Sequence, residues 1–157
     1  MQIQFSKVIS EKNVFTQIEG TDRDDVLRRM VKRLADAGEI LLKDVKPILS
    51  GLLAREELGT TGIGKGIAIP HLTYEGVDRL LIAVGQSDDG LEFSAVDGGP
   101  VVVIFLILAP KRLRDEYLAA LRWVSNIARD DYNNKLLNGS RTAGAFTQLF
   151  KDIEDSQ

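Results

Sequence analysis

An α/β domain with a mixed β-sheet covered by helices on both faces is the fold class this sequence predicts, and three observations predict it. Apolar residues recur at helical spacing in Val26, Leu27, Met30, Val31 and Leu34, which makes one buried face. The run Val101 to Leu108 is apolar at every position, as in a central strand covered on each side. The patterns come in the order helices, strands, helices. The connections around Gly76 and from Gly85 to Gly90 are too short for helical crossovers, so part of the sheet has to be antiparallel.

Taken in order, Val14-Phe15-Thr16-Gln17-Ile18 reads as a short edge strand. Thr21-Asp22 offers N-caps to the first amphipathic helix, and Gly38 stands where a C-terminal cap is wanted. Asp44 is placed to cap a second helix that tolerates Pro47 in its first turn; Ile48, Leu49, Leu52 and Leu53 face inward and Gly59 ends it. Three strands follow: Ile67 to Ile69, Leu80 to Val84 and Val101 to Leu108. Beyond Pro110 a third helix carries Leu113, Tyr117, Leu121, Val124 and Ala128 on one face, and shorter helices lie around Asn134 to Leu137 and Ala143 to Ile153. No Ser/Gly/Pro-rich linker or internal repeat divides the 157 residues, which are expected to form one domain.

Composition excludes several classes. A net charge of −3 with no basic cluster argues against nucleic acid as a partner. With no cysteine there is no disulfide, thiolate nucleophile or zinc knuckle, and a single histidine cannot build a His-based metal site. No metal or other cofactor is therefore expected. The longest apolar run, Val101 to Ala109, falls well short of the roughly 20 residues that span a bilayer, and the first residues lack a signal-peptide core. A cytoplasmic location without membrane insertion is the expectation.

The chemistry concentrates on the sole histidine, His71, which ends Gly59-Thr60-Thr61-Gly62-Ile63-Gly64-Lys65-Gly66-Ile67-Ala68-Ile69-Pro70-His71. An imidazole can act as nucleophile, base or ligand near neutral pH. Without metal partners, the role with a clear mechanism is a nucleophile that takes a group and passes it on. Each part has a plainer explanation when taken singly. Glycines make turns, a histidine after proline is an ordinary surface residue, and Arg55 alone is a solvated helix residue. Their joint occurrence is what singles them out. A P-loop is the rival pattern, since Gly59, Gly64 and Lys65 have its spacing; Gly66, however, stands where a magnesium-binding Ser or Thr is required. The loop also follows a helix and opens a strand, the reverse of a nucleotide-binding P-loop, which leaves a nucleotide-binding enzyme using the Gly59–Gly66 loop as a remote alternative.

Arg55-Glu56, the Gly59 to Gly64 turn and Ile67-Ala68-Ile69-Pro70-His71 together resemble the phosphorylation-site signature of phosphotransferase-system enzyme IIA of the fructose/mannitol/nitrogen class. The likeness extends to the N-terminal helices, the strand ending Leu108-Ala109-Pro110 and the helix after it. It implies a single-domain α/β/α sandwich, an enzyme IIA type 2 domain over residues 1–157. It further implies a phosphoryl carrier whose His71 accepts phosphate from a phosphohistidine on an HPr-like phosphocarrier protein, with modification at Nε2. Arg55 takes the phosphoryl-stabilising role by the same resemblance, and its planar fork suits phosphate oxygens. Thr61, Gly62 and Gly64 are supporting candidates, the Gly62 to Gly66 amides being possible further donors. Such transfer between imidazoles requires no metal.

One position departs from the pattern. Family members often carry a second histidine in the helix after the Ala-Pro, and here Tyr117 occupies it. A tyrosine donates a hydrogen bond but cannot become imidazolium, which bears on onward transfer to a IIB cysteine. The free-standing chain favours a nitrogen-type regulatory IIA protein acting on a regulatory target protein. A sugar-specific IIA component, passing phosphate to a IIB domain, is the alternative.

Overall fold

The computed structural model describes residues 3–157. Six helices flank a six-stranded sheet: α1 (Phe5–Val8), α2 (Arg23–Asp36) and α3 (Val45–Glu57) precede most of the strands, and α4 (Arg114–Arg129), α5 (Asp131–Gly139) and α6 (Ala143–Asp155) follow them. The strands are β1 (Val14–Phe15), β2 (Gly62–Gly64), β3 (Ile67–Ala68), β4 (His71–Thr73), β5 (Leu81–Leu91) and β6 (Val101–Ala109). Their order is β1-β5-β6-β3-β2, with β4 also paired to β6. The β5–β6 and β2–β3 pairs are antiparallel and the others parallel, so the sheet is mixed as expected.

Period-two alternation along β6 builds both halves of the core. Val103, Phe105, Ile107 and Ala109 pack with α4 and α6, against Trp123, Phe146 and Phe150. Ile104, Leu106 and Leu108 pack with α2 and α3, against Leu27, Met30, Ile48 and Leu52. Every one of these strand residues is buried, which is why the run carries no polar side chain.

The first amphipathic helix starts where its cap predicts, with Asp22 accepting from the Asp25 amide at 2.9 Å. It ends in a left-handed Gly38 (φ +78°), and the Glu39 amide reaches back to Leu34 O at 2.9 Å. Asp44 does not cap α3. Its carboxylate instead accepts from the Tyr74 hydroxyl at 2.7 Å, and a 3-10 turn over Leu42–Asp44 leads into the helix.

Two strands differ from their expected extent. β1 stops at Phe15 because Gln17 turns to φ +51°, where its amide meets Gln86 Oε1 at 2.9 Å. β5 runs on through Gln86 to Leu91, past the glycines expected to turn the chain, and residues 92–100 make the connection instead. The antiparallel pairing inferred from a short connection stands, with the turn displaced. Main-chain ladders do not require apolar side chains, so Gln86 and Ser87 extend the strand while buried.

Candidate functional site

β3 and β4 are one line of chain beside β6, interrupted once. Ile67 pairs with Val103, Ala68 with Ile104, His71 with Ile107 and Leu72 with Leu108, all in the same register. Pro70 makes the interruption because it has no amide to donate, although its carbonyl still accepts from Ile107 N at 3.0 Å. Alternation turns His71 to the α4 side, and its ring lies edge-on to Tyr117, with centroids 6.0 Å apart at 61°. The Lys65-Gly66 turn before β3 has both residues at positive φ, +58° and +84°, as a two-residue hairpin requires. Asp97 takes the Lys65 amide at 3.0 Å, and Asn134 and Asn138 both donate to Lys65 O. The Gly59–Gly66 loop therefore joins α3 to a hairpin and opens no helix, which removes the structural context of a nucleotide-binding P-loop.

His71 is half-buried, and its Nδ1 lies 2.6 Å from Ile69 O. A carbonyl only accepts, so Nδ1 carries the proton and Nε2 keeps the lone pair. Burial lowers the His71 pKa below its ordinary 6.5, the Ile69 carbonyl opposes this, Arg55 lowers it further and Glu56 raises it. The ring is thus neutral at physiological pH, with Nε2 as its nucleophilic atom. Tyr117 is buried, and burial pushes its phenol up to about 12 against the lowering influence of Arg55 and Arg114. It stays a neutral hydroxyl.

His71 opens onto a cavity of about 360 Å³. Arg55, Thr60, Thr61, Arg122 and Ser125 give it polar walls, and Ile63, Ile69 and Leu121 apolar ones. Arg55 and His71 are brought together here, with Arg55 Nη1 donating to Gly59 O at 2.7 Å. Thr61 is buried and committed elsewhere: its amide reaches Glu56 Oε1 at 3.0 Å, and its hydroxyl reaches Oε1 and Oε2 at 2.9 and 2.6 Å. The Gly62 amide donates to Thr60 Oγ1 at 3.0 Å, so the amides of Thr61, Gly62 and Lys65 are all spent within the protein. Gly64, at φ +95°, shapes the hairpin beside Asp97. Tyr117 touches the imidazole without lining the cavity. Among the described residues, no cluster of three or more His, Asp or Glu could hold a metal ion. A larger hollow of about 450 Å³ beside Lys12, Glu39 and Arg79 lies apart from His71, its carboxylate already paired with both cations.

The family model for the phosphoenolpyruvate-dependent sugar phosphotransferase system, EIIA 2, matches residues 7–153. This chain belongs to that family. As an EIIA protein it is 31% identical over 156 residues to a nitrogen regulatory protein of Pseudomonas aeruginosa, covering 99% of both chains. It is 32% identical over 116 residues to the fructose-specific EIIA component of Haloferax volcanii, covering 73% of this chain and 74% of that one. Among solved structures, the nitrogen regulatory protein IIA-Ntr of Neisseria meningitidis superposes with a TM-score of 0.82 at 25% identity, over 93% of this chain and 98% of that one. The chain is thus a phosphotransferase-system phosphocarrier of the EIIA type, and no helix among its described residues is long and apolar enough to cross a membrane.

Three residues around His71 were not singled out by the sequence. Glu56 follows Arg55 directly, and its signal was a carboxylate one residue from the motif arginine on the buried side of α3. Arg122 and Ser125 lie one turn and two turns beyond Tyr117 on α4. Only the fold brings them over the histidine.

Proposed function

We propose that His71 is the phosphoacceptor of this EIIA protein, taking a phosphoryl group on Nε2 from a phosphohistidine of an HPr-like carrier. The observation that carries this reading is the Nδ1–H···O=C bond to Ile69, which leaves Nε2 as the one ring nitrogen able to attack. The Nε2–P bond forms as the carrier's N–P bond breaks, and the carrier imidazole leaves with the electron pair. The His71 ring then holds a positive charge, which the Ile69 carbonyl offsets from the opposite nitrogen. Transfer of this kind is mostly positioning and electrostatics, and Arg55 is the group that meets the oxygens as charge moves across them.

The regulatory branch is the reading we favour, because the nitrogen regulatory relative matches over the full length of both chains. On that reading the phosphorylation state of His71 governs binding to a target protein in the cytoplasm. The fructose-specific relative supports a second reading, in which His71 hands phosphate to a IIB cysteine.

The test is incubation with phosphoenolpyruvate, enzyme I and an HPr-type carrier, followed by intact-mass measurement. One acid-labile phosphoryl group is expected on the natural chain and none on His71→Ala. Phosphate retained by folded His71→Ala would overturn the assignment. Onward transfer to any of a panel of IIB domains would replace the regulatory reading with the sugar-uptake one.

A further inference from the structure

We propose that Arg122 is a second phosphoryl-binding residue, closing with Ser125 over the group carried by His71. The inference rests on His71 being the phosphoacceptor and adds the side of the cavity that holds the phosphoryl oxygens. α4 turns Leu121, Arg122 and Ser125 toward the cavity, the last two within one helical turn on the same face. Arg55 and Thr60 stand in the same cavity wall as His71 but come from the end of α3 and the loop after it.

What each polar group already does separates α4 from the rest of the cavity. Arg55 donates to Gly59 O, and Thr60 Oγ1 donates to Phe93 O while accepting from Gly62 N. Thr61 is engaged by Glu56, and His71 Nδ1 by Ile69 O. Arg122 and Ser125 make no side-chain hydrogen bond or ion pair with any described residue. They are the uncommitted donors of the cavity.

Charge balance gives them a task. A phosphoryl group ionised like other protein phosphates carries about −1.5 to −2 charges. The positive charge on the phosphorylated ring is set against the buried Glu56 carboxylate nearby, so Arg55, already shared with a carbonyl, supplies the one positive charge left for the phosphoryl group. Tyr117 supplies none, being a neutral phenol that does not line the cavity. A second guanidinium brings the cavity close to neutrality, and its fork meets two oxygens at once. Because Arg122 is exposed, it can swing onto the phosphoryl group after the donor departs.

The test bypasses the carrier. Phosphoramidate phosphorylates imidazole nitrogen directly: its P–N bond breaks, ammonia leaves and the Nε2–P bond forms. The natural chain, Arg122→Ala, Arg122→Lys and Ser125→Ala would be loaded in this way and followed by ³¹P NMR across pH, together with the half-life of the phosphohistidine. Loss of a neighbouring cation is expected to raise the phosphoryl pKa in Arg122→Ala by roughly 0.5–1 unit. Arg122→Lys should fall between, Ser125→Ala should shift less, and the half-life of Arg122→Ala should change several-fold. A merely structural residue would leave the ³¹P titration unmoved, so superimposable curves and half-lives overturn the proposal. A natural chain that phosphoramidate cannot load also overturns it. Loading by phosphoramidate with no transfer from any HPr-type carrier would instead remove the carrier reading and leave Arg122 in place.

Discussion

Thr61→Val removes one hydroxyl from beside a buried carboxylate and changes almost nothing in shape. Both Thr61 and Glu56 are 3% exposed, so no water takes the hydroxyl's place. The Glu56 carboxylate has three contacts from Thr61, two of them from the hydroxyl at 2.9 and 2.6 Å and one from the amide at 3.0 Å. Valine keeps the amide contact alone. A hydrogen bond to a charged group contributes about 1.5–3 kcal/mol, and here the acceptor is left without a substitute. With a urea m-value of about 1–3 kcal/mol/M, the unfolding midpoint should fall by roughly 1 M. The melting temperature should fall by roughly 3–12 °C, at about 2–4 °C per kcal/mol for a chain of this size. Fluorescence of the single tryptophan, Trp123, reports the transition from within the α4-side core. Glu56→Leu leaves both the Thr61 amide and the Thr61 hydroxyl without an acceptor, and adding Thr61→Val removes the hydroxyl, so the double variant should recover part of the Glu56→Leu loss while the amide stays unpaired. A loss below about 0.5 kcal/mol for Thr61→Val, or a double variant that recovers nothing, would refute this account of the clamp.

His71 should titrate with a midpoint below 6.5, and as the only histidine it gives one unambiguous set of ¹H–¹³C resonances. Because the folded-state pKa is depressed, the unfolded chain binds the proton more tightly. The ring's contribution to stability is therefore present above about pH 6.5 and lost as pH falls through the folded value, and a midpoint at or above 6.5 would contradict it. Gly66→Ala should cost about 1–3 kcal/mol in urea melts, since φ is +84° and the new Cβ would overlap the Asn138 side chain that holds Lys65 O. Gly98→Ala, at φ +72° with nothing within 4 Å of its Cβ, is the control and should cost less.

What could be read from the sequence was whatever packing writes into side-chain type. α2 was legible because a cap, an apolar face and a C-terminal glycine agree, and β6 because both of its faces are covered. Asp44 was misread because a tyrosine distant in sequence claims its carboxylate, and propensity cannot anticipate a tertiary partner. The outer half of β5 was illegible because Gln86, Ser87, Asp88 and Asp89 have loop-like composition, whereas their extended backbone is dictated by β6 alongside. The site divides in the same way. Arg55 and His71 are close along the chain and share one contiguous motif. Arg122 and Ser125 come from α4, and their meeting with His71 exists only once β4 lies against β6 and α4 packs across it.

The imidazole tautomer follows from where β2 stops. Along a strand the main-chain polar groups of successive residues point to opposite neighbours. Pro70 O faces β6, where Ile107 N uses it, so the Ile69 groups face the other edge. The Ile69 amide meets Thr61 O there at 2.9 Å, but β2 ends with that contact, since the chain before Thr61 turns back toward α3. Ile69 O is left without a strand to pair with. His71, two residues on, supplies the missing donor from its own Nδ1 at 2.6 Å. A longer β2 would occupy that carbonyl, and the ring would lose the contact that assigns its proton. The buried Glu56–Thr61 contact is what turns the chain away at this point, tying the residue before β2 to the last turn of α3. The carboxylate beside Arg55 thus acts on the histidine through the backbone, by ending one strand early enough to leave Ile69 O for Nδ1–H and the lone pair on Nε2.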